Sequence, residues 1–148
     1  MNGPTPGYLV WRLSMKWRVA LDRALAPLGL THAQYSVLAS LFGLNEKPTQ
    51  RQLADHTGLE PLYISKLART LEAAGLVHRT GDPADTRAVR LSLTEPGRRV
   101  TTQAIAIVRD LQEVILAPLG GTESRRATVF ARELAALLAA PLEHDVKE

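Results

Sequence analysis

Thr49-Gln50-Arg51-Gln52-Leu53-Ala54-Asp55-His56-Thr57-Gly58-Leu59-Glu60-Pro61-Leu62-Tyr63-Ile64-Ser65-Lys66-Leu67-Ala68-Arg69-Thr70-Leu71 is the stretch that decides the fold. Thr49 and Gln52 have the spacing of a capping box, in which hydroxyl and amide reciprocally satisfy the free backbone N–H groups at a helix start, and Leu53 and Ala54 then face inward. Gly58 breaks this short helix. Pro61 suits the first turn of the next one, where its missing N–H costs nothing. There Ile64, Leu67, Ala68 and Leu71 form an i, i+3, i+4, i+7 apolar stripe that ends before Gly75. The other face of this second helix offers Leu62, Tyr63, Ser65, Lys66, Arg69 and Thr70.

Downstream the rhythm changes from helical to alternating. Leu76-Val77-His78-Arg79-Thr80 and Ala88-Val89-Arg90-Leu91-Ser92-Leu93 read as two strands, and the turn formers of residues 81–87 between them predict a β-hairpin with a long tip. Thr94 can cap a long helix carrying Ile105, Val108, Leu111, Val114 and Ile115. After Pro118-Leu119-Gly120-Gly121 a last helix carries Phe130, Leu134, Leu137, Leu138 and Leu142. Upstream, Leu9, Leu13, Trp17, Leu21, Ala24 and Leu28 recur at helical spacing, describing a helix from about Tyr8 to Ala26 that Pro27 and Gly29 end. Thr31 can cap a second, with Tyr35, Leu38, Leu41 and Phe42 apolar, stopped by Gly43 and Pro48.

The expected architecture is mainly α with a small β-hairpin wing: a winged helix-turn-helix over about residues 31–94 in a single domain of 148 residues. The flanking helices, about 8–26 and 95–142, carry apolar stripes far in sequence from the winged core, and a second copy of the chain would bury them. They read as dimerisation helices.

Bulk properties narrow the function. With 45% hydrophobic residues the chain can bury a real core. Eighteen Lys and Arg against 15 Asp and Glu give a net charge of +3, compatible with a polyanionic partner. The surplus is modest where it matters: residues 51–99 hold 8 basic and 6 acidic groups, while residues 100–148 hold 5 and 7. The absence of cysteine removes disulfides, thiolate metal sites and thiol redox sensing. His32, His56, His78 and His144 have neither metal-ligand spacing nor a nucleophile partner, and there is no glycine-rich phosphate loop, so no catalytic residue, metal or cofactor is expected. The start of the sequence lacks a basic n-region, and no window reaches the roughly 18 apolar residues of a membrane span, which predicts a cytoplasmic, non-membrane protein.

A helix-turn-helix places its second helix in the major groove of double-stranded DNA. The candidate contacts are therefore Leu62, Tyr63, Ser65, Lys66, Arg69 and Thr70, joined by Gln50 and Arg51 at the start of the preceding helix. Lys66 and Arg69 are cationic donors, the hydroxyls reach phosphates or bases, and Leu62 can touch a thymine methyl. On the hairpin, Arg79, Asp85, Arg87 and Arg90 complete the set. A guanidinium at a stiff tip suits a narrow, electronegative minor groove, and a carboxylate two residues from Arg87 can hold its orientation. The alternatives are a solvated helix face beside a plain turn, or a winged-helix module that binds protein instead of DNA.

Thr57-Gly58-Leu59, Ile64, Leu67, Leu71-Glu72 and Gly75-Leu76-Val77, followed by Asp82-Pro83-Ala84-Asp85-Thr86-Arg87 and Leu93-Thr94-Glu95-Pro96-Gly97, resemble the multiple-antibiotic-resistance regulator (MarR) family across most of the chain. The resemblance implies a homodimer with interlocking first, fifth and sixth helices, pseudo-palindromic operator DNA, and repression relieved by a small molecule. It also implies that Arg87 enters the minor groove supported by Asp85, while Tyr63, Ser65, Lys66 and Arg69 serve the major groove. The region where the family holds effectors carries Trp11, Arg12, Met15, Arg18, His32 and Tyr35, which suit an anionic or aromatic molecule. The chain departs from the family at Glu60-Pro61-Leu62, where a small hydroxyl residue and another polar one are common.

Overall fold

The structure is a computed structural model and describes residues 3–44 and 46–142; His144 lies outside them. The chain divides into two compact units, Met1–Arg109 and Asp110–Glu148.

In the first unit, α1 (Pro6–Leu25) begins two residues before the expected start at Tyr8, because the Thr5 hydroxyl accepts the Tyr8 N–H at 3.3 Å and Pro6 occupies the first turn. A single 3-10 turn, Ala26–Leu28, closes at Gly29 with φ 72°. Thr31 and Gln34 form a capping box at the start of α2 (His32–Gly43), and Asp22 on α1 accepts the His32 N–H at 2.7 Å, tying the two helices. Thr49 and Gln52 form the expected box on α3 (Gln50–Thr57), which Gly58 ends at φ 73°. That left-handed conformation favours glycine over any residue with a Cβ. The stripe Ile64, Leu67, Ala68 and Leu71 of α4 (Pro61–Ala73) is buried, packed with Leu21, Leu25, Val37, Leu38, Leu53, Val77 and Leu91 into one core. At about 1.5–3 kcal/mol for each fully buried Leu, Ile or Val, this core fixes where α4 presents its other face. Phe42, expected to be part of the apolar face of α2, is instead exposed beneath the Arg98 guanidinium, 5.7 Å from the ring centre.

The wing is tighter than the sequence suggests. Strand β1 (Val77–Asp82) pairs antiparallel with β2 (Asp85–Leu93), so only Pro83 and Ala84 lie between the strands in place of a long tip. The pairing jumps from Gly81↔Val89 to Asp82↔Asp85, leaving Thr86, Arg87 and Ala88 without ladder partners. Such a bulge bends the strand and redirects its side chains. Two carboxylates shape this end: Asp82 accepts the Ala84 N–H at 2.9 Å and Asp85 the Arg87 N–H at 3.0 Å. The other end is anchored by the Pro48 carbonyl, which accepts the Leu91 N–H at 2.9 Å beside a bridge between Thr49 and Arg90. The chain entering α3 is thereby stitched to the wing.

Helix α5 (Glu95–Leu116) leaves the wing through Thr94, whose hydroxyl accepts the Gly97 N–H at 3.0 Å and donates to the Gly75 carbonyl at 2.7 Å. Gly97 is buried, and a Cβ there would overlap the Leu76 carbonyl oxygen. In the second unit, the end of α5 is followed by a 3-10 turn, Ala117–Leu119, and by α6 (Arg125–Ala139), capped by Ser124. The Glu113 carboxylate accepts the Thr122 N–H at 2.9 Å, and hydrogen bonding from Thr122 holds its pKa below the usual value. Val114, Leu137, Leu138 and Leu142 remain exposed, as do Leu9, Trp11, Met15 and Val19 on α1. Among the described residues, no helix is long and apolar enough to cross a membrane.

Candidate nucleic-acid interface

With Ile64, Leu67, Ala68 and Leu71 pinned inward, helical geometry sends Leu62, Lys66 and Arg69 to the opposite stripe, at i, i+4 and i+7. All three are exposed, Leu62 at 86%. Tyr63 is exposed at one edge of this stripe and Ser65 is half-buried at the other. The Thr70 hydroxyl donates to the Lys66 carbonyl at 3.1 Å, so its proton is engaged within the helix. Glu60, the N-cap of α4, makes no side-chain capping bond and is exposed.

Beside the start of α4 lies an open cleft of about 810 Å³, walled by the beginning of α3 and by the wing. The structure brings five of the candidates to it, Gln50, Arg51, Leu62, Asp85 and Arg87. Arg87 stands well out from the cleft, its side chain 93% exposed, with Nε 3.6 Å from Asp85 Oδ1. One carboxylate oxygen thus holds both the backbone N–H and the guanidinium of Arg87. The bulge and the two carboxylate-bonded turns deliver a cation to the far edge of the wing.

Two candidates on the hairpin have other partners. Arg79 stands opposite Leu91 in the ladder, is half-buried, and lies 3.6 Å from Glu72 on α4; its Nε is buried without a hydrogen-bond partner among the described residues. Its pairing with Glu72 braces the wing against α4. Arg90 forms an ion pair with Asp82 at 3.0 Å and donates to the Lys47 carbonyl at 2.6 Å. The Asp82 side chain is only 10% exposed, and the Ala84 N–H, with Arg90 beside it, keeps its pKa below the usual carboxylate value. Arg90 is therefore a clamp joining the tip of the wing to the strand-like entry of α3. Sequence reasoning missed this clamp: an eight-residue separation within a hairpin carries no pairing signal once the bulge shifts the register.

Among the described residues, two of the six effector candidates, Arg12 and Met15, share one open depression. Arg12 stacks on Tyr8, donating to its hydroxyl at 2.9 Å, and with Met15, Leu9, Leu13, Lys16 and Val19 lines an open depression along α1. Trp11 is exposed outside that lining. Arg18 lies 4.0 Å from Asp22, whose other oxygen caps half-buried His32. Burial lowers the His32 pKa, with Asp22 opposing and Arg18 adding to the shift; burial also raises that of Tyr35.

Comparison with known proteins gives one answer. A model of the MarR family matches residues 28–88. An uncharacterised HTH-type transcriptional regulator of Bacillus subtilis, YdcH, is 36% identical over 121 residues, which span 78% of this chain and 82% of the relative. The HTH-type transcriptional repressor Rv2887 of Mycobacterium tuberculosis is 32% identical over 121 residues, 80% of this chain and 85% of its own. Among solved structures, CouR of Rhodococcus jostii bound to p-coumaroyl-CoA aligns with a TM-score of 0.81 at 28% identity, over 98% of this chain and all of that one. The transcriptional repressor CouR bound to a 23-mer DNA duplex aligns with a TM-score of 0.77 at 29% identity, over 92% and 93%. The elements around the cleft, the order in which they follow one another and the extent of these likenesses agree: the chain belongs to the MarR family of helix-turn-helix transcriptional regulators.

Proposed function

We propose that the chain is a sequence-specific, DNA-binding transcriptional repressor of the cytoplasm, which grips a pseudo-palindromic operator as a homodimer and is released by a small molecule. The observation that carries this reading is the pairing of an outward stripe on α4, bearing Lys66 and Arg69, with a wing tip that holds Arg87 by its own Asp85. One suits the edges and phosphates of a major groove, the other the adjacent minor groove. The protein acts by binding, and no catalytic residue is assigned to it.

A two-fold pair of such units sets its recognition helices about 34 Å, or 10 base pairs, apart, which demands a repeated half-site. The exposed leucines of α6 in the second unit, and separately the apolar residues of α1 in the first, offer apolar faces for a second copy to cover. Release requires an effector that binds the DNA-free form more tightly, with a coupling of about 1–3 kcal/mol. Arg12 and Met15 on α1, with Arg18 near His32, offer cationic and apolar surface to an aromatic acid or its thioester; CouR, bound to p-coumaroyl-CoA, supports that class. Selection of genomic fragments by the purified protein tests the reading: enrichment of an inverted repeat supports it, and fragments recovered without any common sequence refute it.

A further inference from the structure

We infer that Leu62 is a base-reading residue that selects a thymine 5-methyl group in each half-site, and that Glu60 beside it disfavours guanine at the adjoining base pair. The inference deepens the DNA-binding reading and rests on it. A leucine 86% exposed in the first turn of a helix contributes nothing to the core that its neighbours Ile64 and Leu67 build. Lys66 and Arg69 continue its stripe along α4 and supply the cations nearest to it in the helix. The cleft that Leu62 lines also holds Arg51 and Arg87, together with Asp55, Asp82 and Asp85, of which Asp85 is paired with Arg87 and Asp82 with Arg90. Docked helix-turn-helix units put the N-terminal residues of the second helix against base edges and leave its later turns to the backbone. At that depth in the major groove the one apolar group presented by any base is the C5-methyl of thymine.

Glu60 sharpens the reading by repulsion. Its carboxylate is not spent on capping α4, although the helix N-terminus stabilises a negative charge there. Guanine shows only acceptors, N7 and O6, in the major groove, whereas cytosine and adenine each present an amine that a carboxylate can accept. An acceptor facing acceptors costs affinity, so guanine is the base that Glu60 rejects.

The test uses the duplex recovered by binding selection, with each thymine of one half-site replaced singly by deoxyuridine. Losing one buried methyl group corresponds to about a four-fold weaker complex. The expectation is that one deoxyuridine position weakens the wild type by that factor, that Leu62→Ala binds the thymine and deoxyuridine duplexes alike with an unchanged salt slope, and that Leu62→Met keeps the preference. In parallel, Glu60→Gln accepts guanine at the neighbouring position, which the wild type rejects. Specific binding with no deoxyuridine penalty, or a penalty that survives in Leu62→Ala, overturns the assignment of Leu62 and leaves the regulator reading standing. Failure to bind any duplex specifically overturns both. Because Leu62 is exposed, its variants should melt with the wild type, and that measurement accompanies the binding data.

Discussion

Arg87→Ala and Arg90→Ala each remove a guanidinium, from positions three residues apart, and should have different signatures in salt. Arg87 is 93% exposed at the edge of the wing, paired with Asp85 at 3.6 Å, and is placed to displace counterions from DNA. Each such contact contributes about 0.9 to the slope of log K against log salt, so a dimer that loses two wings loses about 1.8. Between 50 and 200 mM salt the wild type should therefore lose about twelve-fold more affinity than Arg87→Ala. Arg90 spends its charge on Asp82 at 3.0 Å and on the Lys47 carbonyl. Removing it leaves the Asp82 carboxylate without its cation and the tip without its link to Lys47, while the backbone bonds at Pro48 and Thr49 still hold the base of the wing: affinity falls, the slope stays, and Arg90→Lys recovers part of the loss. The assay is fluorescence anisotropy on the selected operator at four or five salt concentrations. Equal slopes for wild type and Arg87→Ala, or a flattened slope for Arg90→Ala, would refute this division of labour.

Three further outcomes follow from other parts of the molecule. Gly97→Ala forces a Cβ into the Leu76 carbonyl at the exit from the wing, and thermal unfolding should show a loss of at least about 2 kcal/mol. Leu138→Asp alters a side chain 88% exposed on α6, so the chain should keep its helical circular dichroism while light scattering reports monomer in place of dimer; an undiminished dimer mass contradicts the proposed interface. His32 is buried enough to sit below its usual pKa of 6.5, so protonation favours the unfolded chain. The stability it contributes is complete above about pH 6.5 and is lost as the pH falls below that value. Wild type should therefore lose more melting temperature between pH 7 and 5.5 than His32→Gln does, and identical losses would contradict it.

The local signals proved legible where a few neighbouring residues decide the geometry. Thr49 with Gln52, Gly58, Pro61 and the 64–71 stripe define α3, the turn and α4 through short-range bonds and a helical period, and the structure reproduces them. What escaped depends on contacts between distant segments. The two-residue tip arises from a register jump at Gly81/Asp82, which residues 81–87 read as turn formers do not reveal. Arg79 and Arg90 look like candidate phosphate ligands in sequence, since any arginine on a hairpin does. Only the folded hairpin shows that Glu72, Asp82 and the Lys47 carbonyl already hold them. Conversely, the Asp85/Arg87 proximity was readable because two residues of separation at a turn leave few other arrangements.

The most direct test of the account compares the affinity of the purified protein for its selected operator with that for a scrambled duplex of equal length, at physiological salt. Sequence-specific recognition by α4 and the wing predicts a preference of at least about a thousand-fold. A ratio near one, with binding to both duplexes abolished by moderate salt, would contradict it.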